Sequence, residues 1–436
     1  MSSWRAPRLH SPISAKVSIP GSKSQTARAL YLAAIGKHPC VIEGVLRSRD
    51  TDLFAQALQT LGAQIHMLGD SRTQITPISS DSPSSERVID CGLAGTVMRF
   101  LPPLAALSSA PTRFDGDEQA YARPLAPLLD VLESLGATLS YHGEKGHLPF
   151  TISGPLKPSS SPITVDASAS SQFFSAMLLV APLIGGAIIR SNAPLISLPH
   201  IEMTLNMMHE AGLSWTQLGD REWRVDAGAP TASEIAIEPD LSNAGPFLCA
   251  GILSAGSVTI PNWPLASTQP GAQWPSLFNE MGIETSLETN EMGSSGLTVR
   301  GGGPGSFPGI ERDMSTMGEM VPTLAALLLF ASTPSTLTGI AHLRGHETDR
   351  LDAIAQSVTA LGGLIEQIPD GLRITPASLH GAPLRSFADH RMATFAAIVG
   401  LVVDGVSLDD ISCTSKTLPE FESMWARMCE GSSDNV

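Results

Sequence analysis

The chain has 436 residues, a formal charge of −15 and only 27 Lys and Arg, so no basic stripe suits nucleic acid or a membrane surface. Hydrophobic residues at 42% supply sizeable cores, and 16% charged residues imply a globular rather than a disordered chain. The length suggests more than one domain on a prior of about 100–200 residues each. Cys40, Cys91, Cys249, Cys413 and Cys429 are odd in number and show no CxxC spacing. They read as reduced, mostly buried thiols of a cytoplasmic protein, and no metal site is expected. Apolar runs such as 176–189 are broken by Pro182 and glycines, short of the ~18–20 residues of a membrane span.

In chain order, an apolar pair at Val17 and Ile19 and then Pro20 precede Gly21-Ser22-Lys23-Ser24-Gln25-Thr26-Ala27-Arg28, followed by an Ala/Leu-rich run. This reads as strand, tight turn and helix, with Gly21 freeing the backbone and a hydroxyl residue as N-cap. Free N–H groups, two serine hydroxyls, Lys23 and Arg28 at a positive helix end suit an anion. The Gly-x-x-x-x-Gly-Lys-Ser spacing is missing, so nucleotide binding does not follow. A strand over 40–45 and a helix over about 52–61 come next, and that helix closes on Leu61-Gly62. Serine-rich 70–87 and Pro-bounded 155–162 read as surface loops.

The helix-closing glycine returns at Gly136, Gly212, Gly282 and Gly362, with spacings 136−62 = 74, 212−136 = 76, 282−212 = 70 and 362−282 = 80. A period near 75 is an internal repeat. The turn-plus-helix opening recurs in step, leading into apolar helices at 97–107, 173–183, 246–253, 320–330 and 392–403. With the first stretch this makes six copies. The helices are too apolar to keep a solvated face, so they are expected to lie buried under sheets. Three repeats per domain is the natural partition, with a join near 236–240.

Chemistry concentrates in the turns. His342-Leu343-Arg344-Gly345-His346-Glu347-Thr348-Asp349-Arg350 precedes a helix over 351–361 that Thr348 can cap. Capping does not explain Arg344, His346, Glu347 and Arg350 crowded together, a mixed acid–base and anion-binding cluster. Asp389-His390-Arg391, Thr414-Ser415-Lys416-Thr417 and Arg123-Pro124, after a loop over 115–122, add further cations.

Together these segments resemble the 5-enolpyruvylshikimate-3-phosphate synthase family, the 3-phosphoshikimate 1-carboxyvinyltransferases. The resemblance rests on Gly21–Arg28, Leu93-Ala94-Gly95-Thr96-Val97-Met98-Arg99, Arg123-Pro124, Ser170-Ser171-Gln172, Glu347-Thr348-Asp349-Arg350-Leu351, Asp389-His390-Arg391-Met392 and Cys413-Thr414-Ser415-Lys416-Thr417. It implies an α/β (α+β) fold of two domains, each of three βαβαββ repeats with buried helices covered by sheets, an inverse α/β barrel type. Residues 1–20 with 239–436 would form the C-terminal, phosphoenolpyruvate-side domain, and 21–238 the N-terminal, shikimate 3-phosphate-side domain.

The implied reaction transfers the enolpyruvyl group of phosphoenolpyruvate to the 5-hydroxyl of shikimate 3-phosphate and releases phosphate through a tetrahedral intermediate. It needs no cofactor. The implied protein is a cytoplasmic monomer acting on small anionic substrates, without nucleic-acid or membrane partners, in the shikimate pathway that glyphosate inhibits. By motif correspondence Lys23, Ser24, Arg28, Ser170, Ser171, Gln172, Ser197, Glu319 and His346 fall on the shikimate 3-phosphate site. Lys23, Gly95, Arg123, Gln172, Arg350, Arg391 and Lys416 fall on the phosphoenolpyruvate site, where arginine forks suit carboxylate and phosphate. Lys23, Glu319, Glu347, His390 and Lys416 take the catalytic positions. The sequence departs from many members at His342, His346, Glu319, Leu93 and Phe100. The alternative within the fold, a UDP-N-acetylglucosamine enolpyruvyl transferase, carries a reactive cysteine before the Arg-Pro element, and 115–122 has none.

Overall fold

The computed structural model describes residues 3–79, 85–289 and 295–430. The chain divides into two compact units, one of Gly21–Ile237 and one of Met1–Pro20 with Glu238–Val436. The first unit carries α1 (Lys23–Ala34), α2 (Arg49–Thr60), α3 (Gly95–Ala105), α4 (Ala126–Ser134), α5 (Ser171–Val180) and α6 (Leu198–Glu210). The second carries α7 (Leu241–Leu253), α8 (Trp274–Glu280), α9 (Val321–Leu328), α10 (Arg350–Ala360), α11 (His390–Gly400) and α12 (Phe421–Cys429). Each repeat therefore holds two helices with different roles. The odd-numbered helices are buried almost throughout: every residue of α7, α9 and α11 is buried, as is all of α5 except Gln172. The even-numbered ones are amphipathic; α2 buries Phe54, Ala57 and Leu58 and leaves its other face wetter.

The second repeat shows the common plan. Arg87–Asp90 runs parallel to Thr112–Asp115, which pairs antiparallel with Phe150–Ser153, itself antiparallel to Thr138–Tyr141. With α3 and α4 as the connections the order is βαβαββ. Among the described residues six sheets form, five of four strands and one of three. Alternate strand residues face the buried helices, as Phe114, Phe150 and Ile152 do, each fully buried. The five repeat-closing glycines sit in the left-handed region, with φ of 110° at Gly62, 99° at Gly136, 89° at Gly212, 68° at Gly282 and 78° at Gly362. That is the backbone state a helix C-terminus needs to turn back into a strand.

Some local expectations change. The expected strand at Val17 and Ile19 is not one: the strand is Ser14–Lys16, which runs parallel to Ser257–Thr259, while Val17 and Ile19 are buried in the second unit's core. The first repeat takes its opening strand from Glu234–Ala236 instead, parallel to Val41–Glu43. Pairing between segments so far apart leaves no local trace. Gly21 is required by closeness rather than by φ, since a Cβ there would lie 1.8 Å from the Gly44 carbonyl oxygen. Segment 70–87 is not all loop: Arg72–Thr76 pairs antiparallel with Cys40–Glu43 and buries Thr73 and Ile75, too short an alternation to stand out among serines. Residues 80–84 of it lie outside the described residues. Within 115–122, Glu118–Ala122 forms a 3-10 turn.

Two glycines separate conformational strain from collision. At Gly282 a Cβ would meet nothing within 4 Å, so Gly282→Ala should cost only the left-handed strain, about 1–2 kcal/mol. At Gly371 a Cβ would lie 1.9 Å from the Leu337 carbonyl oxygen across the ladder, so Gly371→Ala should cost about 3 kcal/mol or more. Denaturant unfolding of both variants checks the order.

Candidate active site

In the first unit the sequence builds its cations onto helix starts. Ser22 caps α1, accepting from the Gln25 N–H, which sets Lys23 at the first helical position. The Lys23 Nζ lies 3.5 Å from Asp50 Oδ2, and the Asp50 side chain is only 5% exposed. One turn on, Arg28 is buried and spends Nε on Thr204 Oγ1 at 2.7 Å, with Nη1 on the Ser24 carbonyl and Nη2 on the His200 carbonyl. Its guanidinium stacks 5.1 Å from the Phe100 ring centroid. Arg28 thus ties α1 to α6, whose N-cap Ser197 takes a left-handed φ of 50°. Ser24 and Ser197 are half-buried beside this brace.

A second cluster surrounds Gly95, the first residue of α3. A Cβ there would come within 3.1 Å of Arg123 Nη2 and 3.1 Å of Arg99 Nη1, so only glycine leaves the two forks undisturbed. Arg123 donates from Nη1 to the Leu93 carbonyl, and its buried Nε has no hydrogen-bond partner among the described residues. Arg99 donates to Gln172 Oε1 at 2.8 Å and lies over Phe173. Ser170 caps α5 by accepting from the Gln172 N–H, with Ser171 buried behind it. A helix N-terminus with no capping side chain and two guanidinium groups form a place for an oxyanion.

In the second unit one buried network gathers residues from three turns. Arg350 is 2% exposed and grips Asp389 at 2.8 Å from Nε and 3.2 Å from Nη2. Asp389, fully buried, also caps α11 through the Arg391 N–H. Arg350 reaches Glu347 Oε2 at 3.0 Å, and Lys416 Nζ reaches Glu347 Oε1 at 3.1 Å. Burial works against the charge on Arg350, but Asp389 and Glu347 outweigh it and raise its pKa above the ordinary arginine value. Arg350 Nη1 also lies 3.2 Å from His346 Nδ1. Glu319, in the 3-10 turn Gly318–Met320, accepts from the Ser242 hydroxyl at 2.6 Å and lies 3.5 Å from Arg391 Nη2. His390 is buried, its Nδ1 3.6 Å from Asp389 Oδ1. His342 packs against the His346 ring, and burial lowers its pKa below the ordinary value, opposed in part by Asp370.

Two details differ from the sequence reading. Arg344 is outside the network, pairing with exposed Asp349 and Gln367. The α10 cap is Asp349, accepting from the Asp352 N–H, and not Thr348.

The family described as EPSP synthase (3-phosphoshikimate 1-carboxyvinyltransferase) matches residues 7–425. A 3-phosphoshikimate 1-carboxyvinyltransferase of Kocuria rhizophila is 46% identical over 98% of this chain and 96% of that relative. One of Bifidobacterium longum is 44% identical, covering 98% of each. The chain belongs to the EPSP synthase family. Its fold agrees with a solved EPSP synthase of Acinetobacter baumannii, at a TM-score of 0.80 with 21% identity over 98% of this chain and 97% of that one. It also agrees with the enolpyruvyl transferase NikO of Streptomyces tendae, at 0.75 and 18% over 98% and 96%.

For an EPSP synthase family chain, sequence reasoning misses four residues of these clusters: Asp50, Arg99, Ser242 and Asp389. Asp389 lies inside a recognisable motif, but the adjacent His390 and Arg391 carry the more obvious chemistry. Asp50 precedes the helix expected over 52–61, and its partner is 27 positions away. The buried grip of Asp389 on Arg350 makes a test. Removing it in Asp389→Ala strands a buried guanidinium and a helix cap, and should cost about 3–5 kcal/mol in denaturant unfolding.

Proposed function

We propose that this chain transfers the enolpyruvyl group of phosphoenolpyruvate to the 5-hydroxyl of shikimate 3-phosphate, as a 3-phosphoshikimate 1-carboxyvinyltransferase of aromatic amino acid biosynthesis. The observation that carries the reading is the family match over residues 7–425. The side chains support it, because the reaction asks for cations around two anions, a base for a hydroxyl and a proton for a carbon.

In the proposed reaction the 5-hydroxyl oxygen bonds to C2 of phosphoenolpyruvate while C3 takes a proton. The tetrahedral adduct then loses a proton from C3 and expels phosphate, restoring the double bond. Glu319, held by Ser242 and beside Arg391, is the base for the 5-hydroxyl. The Lys416 ammonium and Glu347 form the couple that gives and takes the proton at C3, with Arg350 locking Glu347 from the other side. Buried His390 stands next to Asp389 and completes the catalytic set.

Lys23, Ser24, Arg28, Ser170, Ser171, Gln172, Ser197, Glu319 and His346 are assigned to shikimate 3-phosphate. Buried Arg28 serves chiefly by holding α1 and α6 in register. Lys23, Gly95, Arg123, Gln172, Arg350, Arg391 and Lys416 are assigned to phosphoenolpyruvate, and the bare corner at Gly95 is where its charged groups meet two arginine forks. Among the described residues no helix is long and apolar enough to cross a membrane. A cytoplasmic monomer that binds no nucleic acid completes the proposal.

The acceptor decides between this reading and its sugar-nucleotide alternative. Phosphate release from phosphoenolpyruvate should require shikimate 3-phosphate; release with UDP-N-acetylglucosamine instead would overturn the assignment. In the same assay Glu319→Gln and Glu347→Gln keep side-chain shape, so substrate binding should persist while turnover falls about 10²–10⁴-fold. A variant that turns over near the wild-type rate marks its glutamate as structural.

A further inference from the structure

Methionine is distributed unevenly with respect to solvent. Among the described residues twelve methionines are buried, none above 7% exposed, while Met67 alone is exposed, at 44%. Met67 ends the strand Gln64–Met67 at the edge of the first repeat's sheet, directly opposite Thr73. Its sulfur is not idle. The Arg47 guanidinium donates from Nη1 to Met67 Sδ at 3.3 Å, and the Thr73 hydroxyl donates to the same sulfur at 3.3 Å. Arg47 is itself anchored, with Nε on Asp52 Oδ1 at 2.8 Å. These groups open into a recess of about 220 Å³, lined also by Thr51, Gln56 and Ile65, which is room enough for a hydroperoxide.

A thioether is a weak acceptor, so two donors converging on one gain little from it at rest. A sulfoxide oxygen on that sulfur is a far stronger acceptor, and one of the donors is a cation, which strengthens the bond further. We propose that Met67 is an oxidation site, converted to its sulfoxide by hydrogen peroxide or an alkyl hydroperoxide and captured in that state by Arg47 and Thr73. In the step a sulfur lone pair attacks one peroxide oxygen and the O–O bond breaks. The leaving oxygen departs with a proton as water or alcohol. Sulfur loses two electrons, the peroxide gains them, and the new S–O group takes over both hydrogen bonds. The acceptor is polar and solvent-facing, so the surrounding sheet keeps its packing. The buried methionines would have to open the core before reacting.

Graded hydrogen peroxide on the full chain, followed by peptide mass spectrometry, tests the selectivity. Met67 sulfoxide should accumulate at least about tenfold ahead of the twelve buried methionines. Accumulation in step with them overturns the proposal. Capture is read separately, from the change in melting temperature on oxidation. That drop should be larger in Thr73→Val and in Arg47→Leu than in the wild type, because each variant leaves the sulfoxide oxygen short of a donor. Arg47 is on the surface, so its variant keeps the test open if Thr73→Val folds poorly. Met67→Leu should show no drop at the same dose. Equal drops in the wild type and both donor variants, even with Met67 oxidised first, contradict capture.

Discussion

A positive site in a protein of net charge −15 has to be built cation by cation, and each cation has to be held. The pairing of a cation with a carboxylate on or beside a neighbouring helix start is what the cation clusters of this structure depend on. Lys23 leans on Asp50, Arg391 on Glu319, and Arg350 on Asp389 and Glu347, with Lys416 closing on the same Glu347. The pairs are sheltered. Asp389 is fully buried and Arg350 nearly so, which makes their attraction stronger than any surface ion pair and makes loss of one partner expensive. An arginine fixed in this way presents its remaining N–H groups in one direction, without the entropic cost of searching for it.

The βαβαββ repeat explains why these pairs fall where they do. Each buried odd-numbered helix begins at a turn, and the turn is the first point at which the chain leaves the apolar core. Polar side chains are tolerated there, and the exposed helix N–H groups favour anions beside them. Helices α2, α4, α6, α8 and α10 return the chain through a left-handed glycine to the sheet. One architecture, repeated, therefore yields a set of equivalent polar corners. The sequence can furnish each of them differently: Lys23 at one, Gly95 at another, Glu319 at a third.

Much of this is legible in the amino-acid sequence. The period near 75 residues, the glycines that mark it, the burial of the Ala/Leu-rich helices and the family motifs all follow from local pattern. What escapes local pattern is which distant strands and side chains pair. Ser14–Lys16 finds Ser257–Thr259, and Glu234–Ala236 finds Val41–Glu43, with no signal inside either segment. The same holds in the clusters. Glu347 and Arg350 are three residues apart and their pairing can be read, whereas Asp389 meets Arg350 across 39 positions and Ser242 meets Glu319 across 77. Arg344 fails in the opposite sense: adjacency in sequence suggests a role, and the 3-10 turn Ala341–Gly345 sends it to the surface.

The central claim is that paired carboxylates and cations act as units. A double-mutant cycle on turnover with Glu347→Gln and Lys416→Met tests it most directly. If the 3.1 Å contact between them is a working couple, the first change already disables it. The double variant should then turn over about as slowly as the worse single variant. Losses that multiply, with the double variant slower by the product of the two single effects, would mean that each group acts alone and would contradict the account.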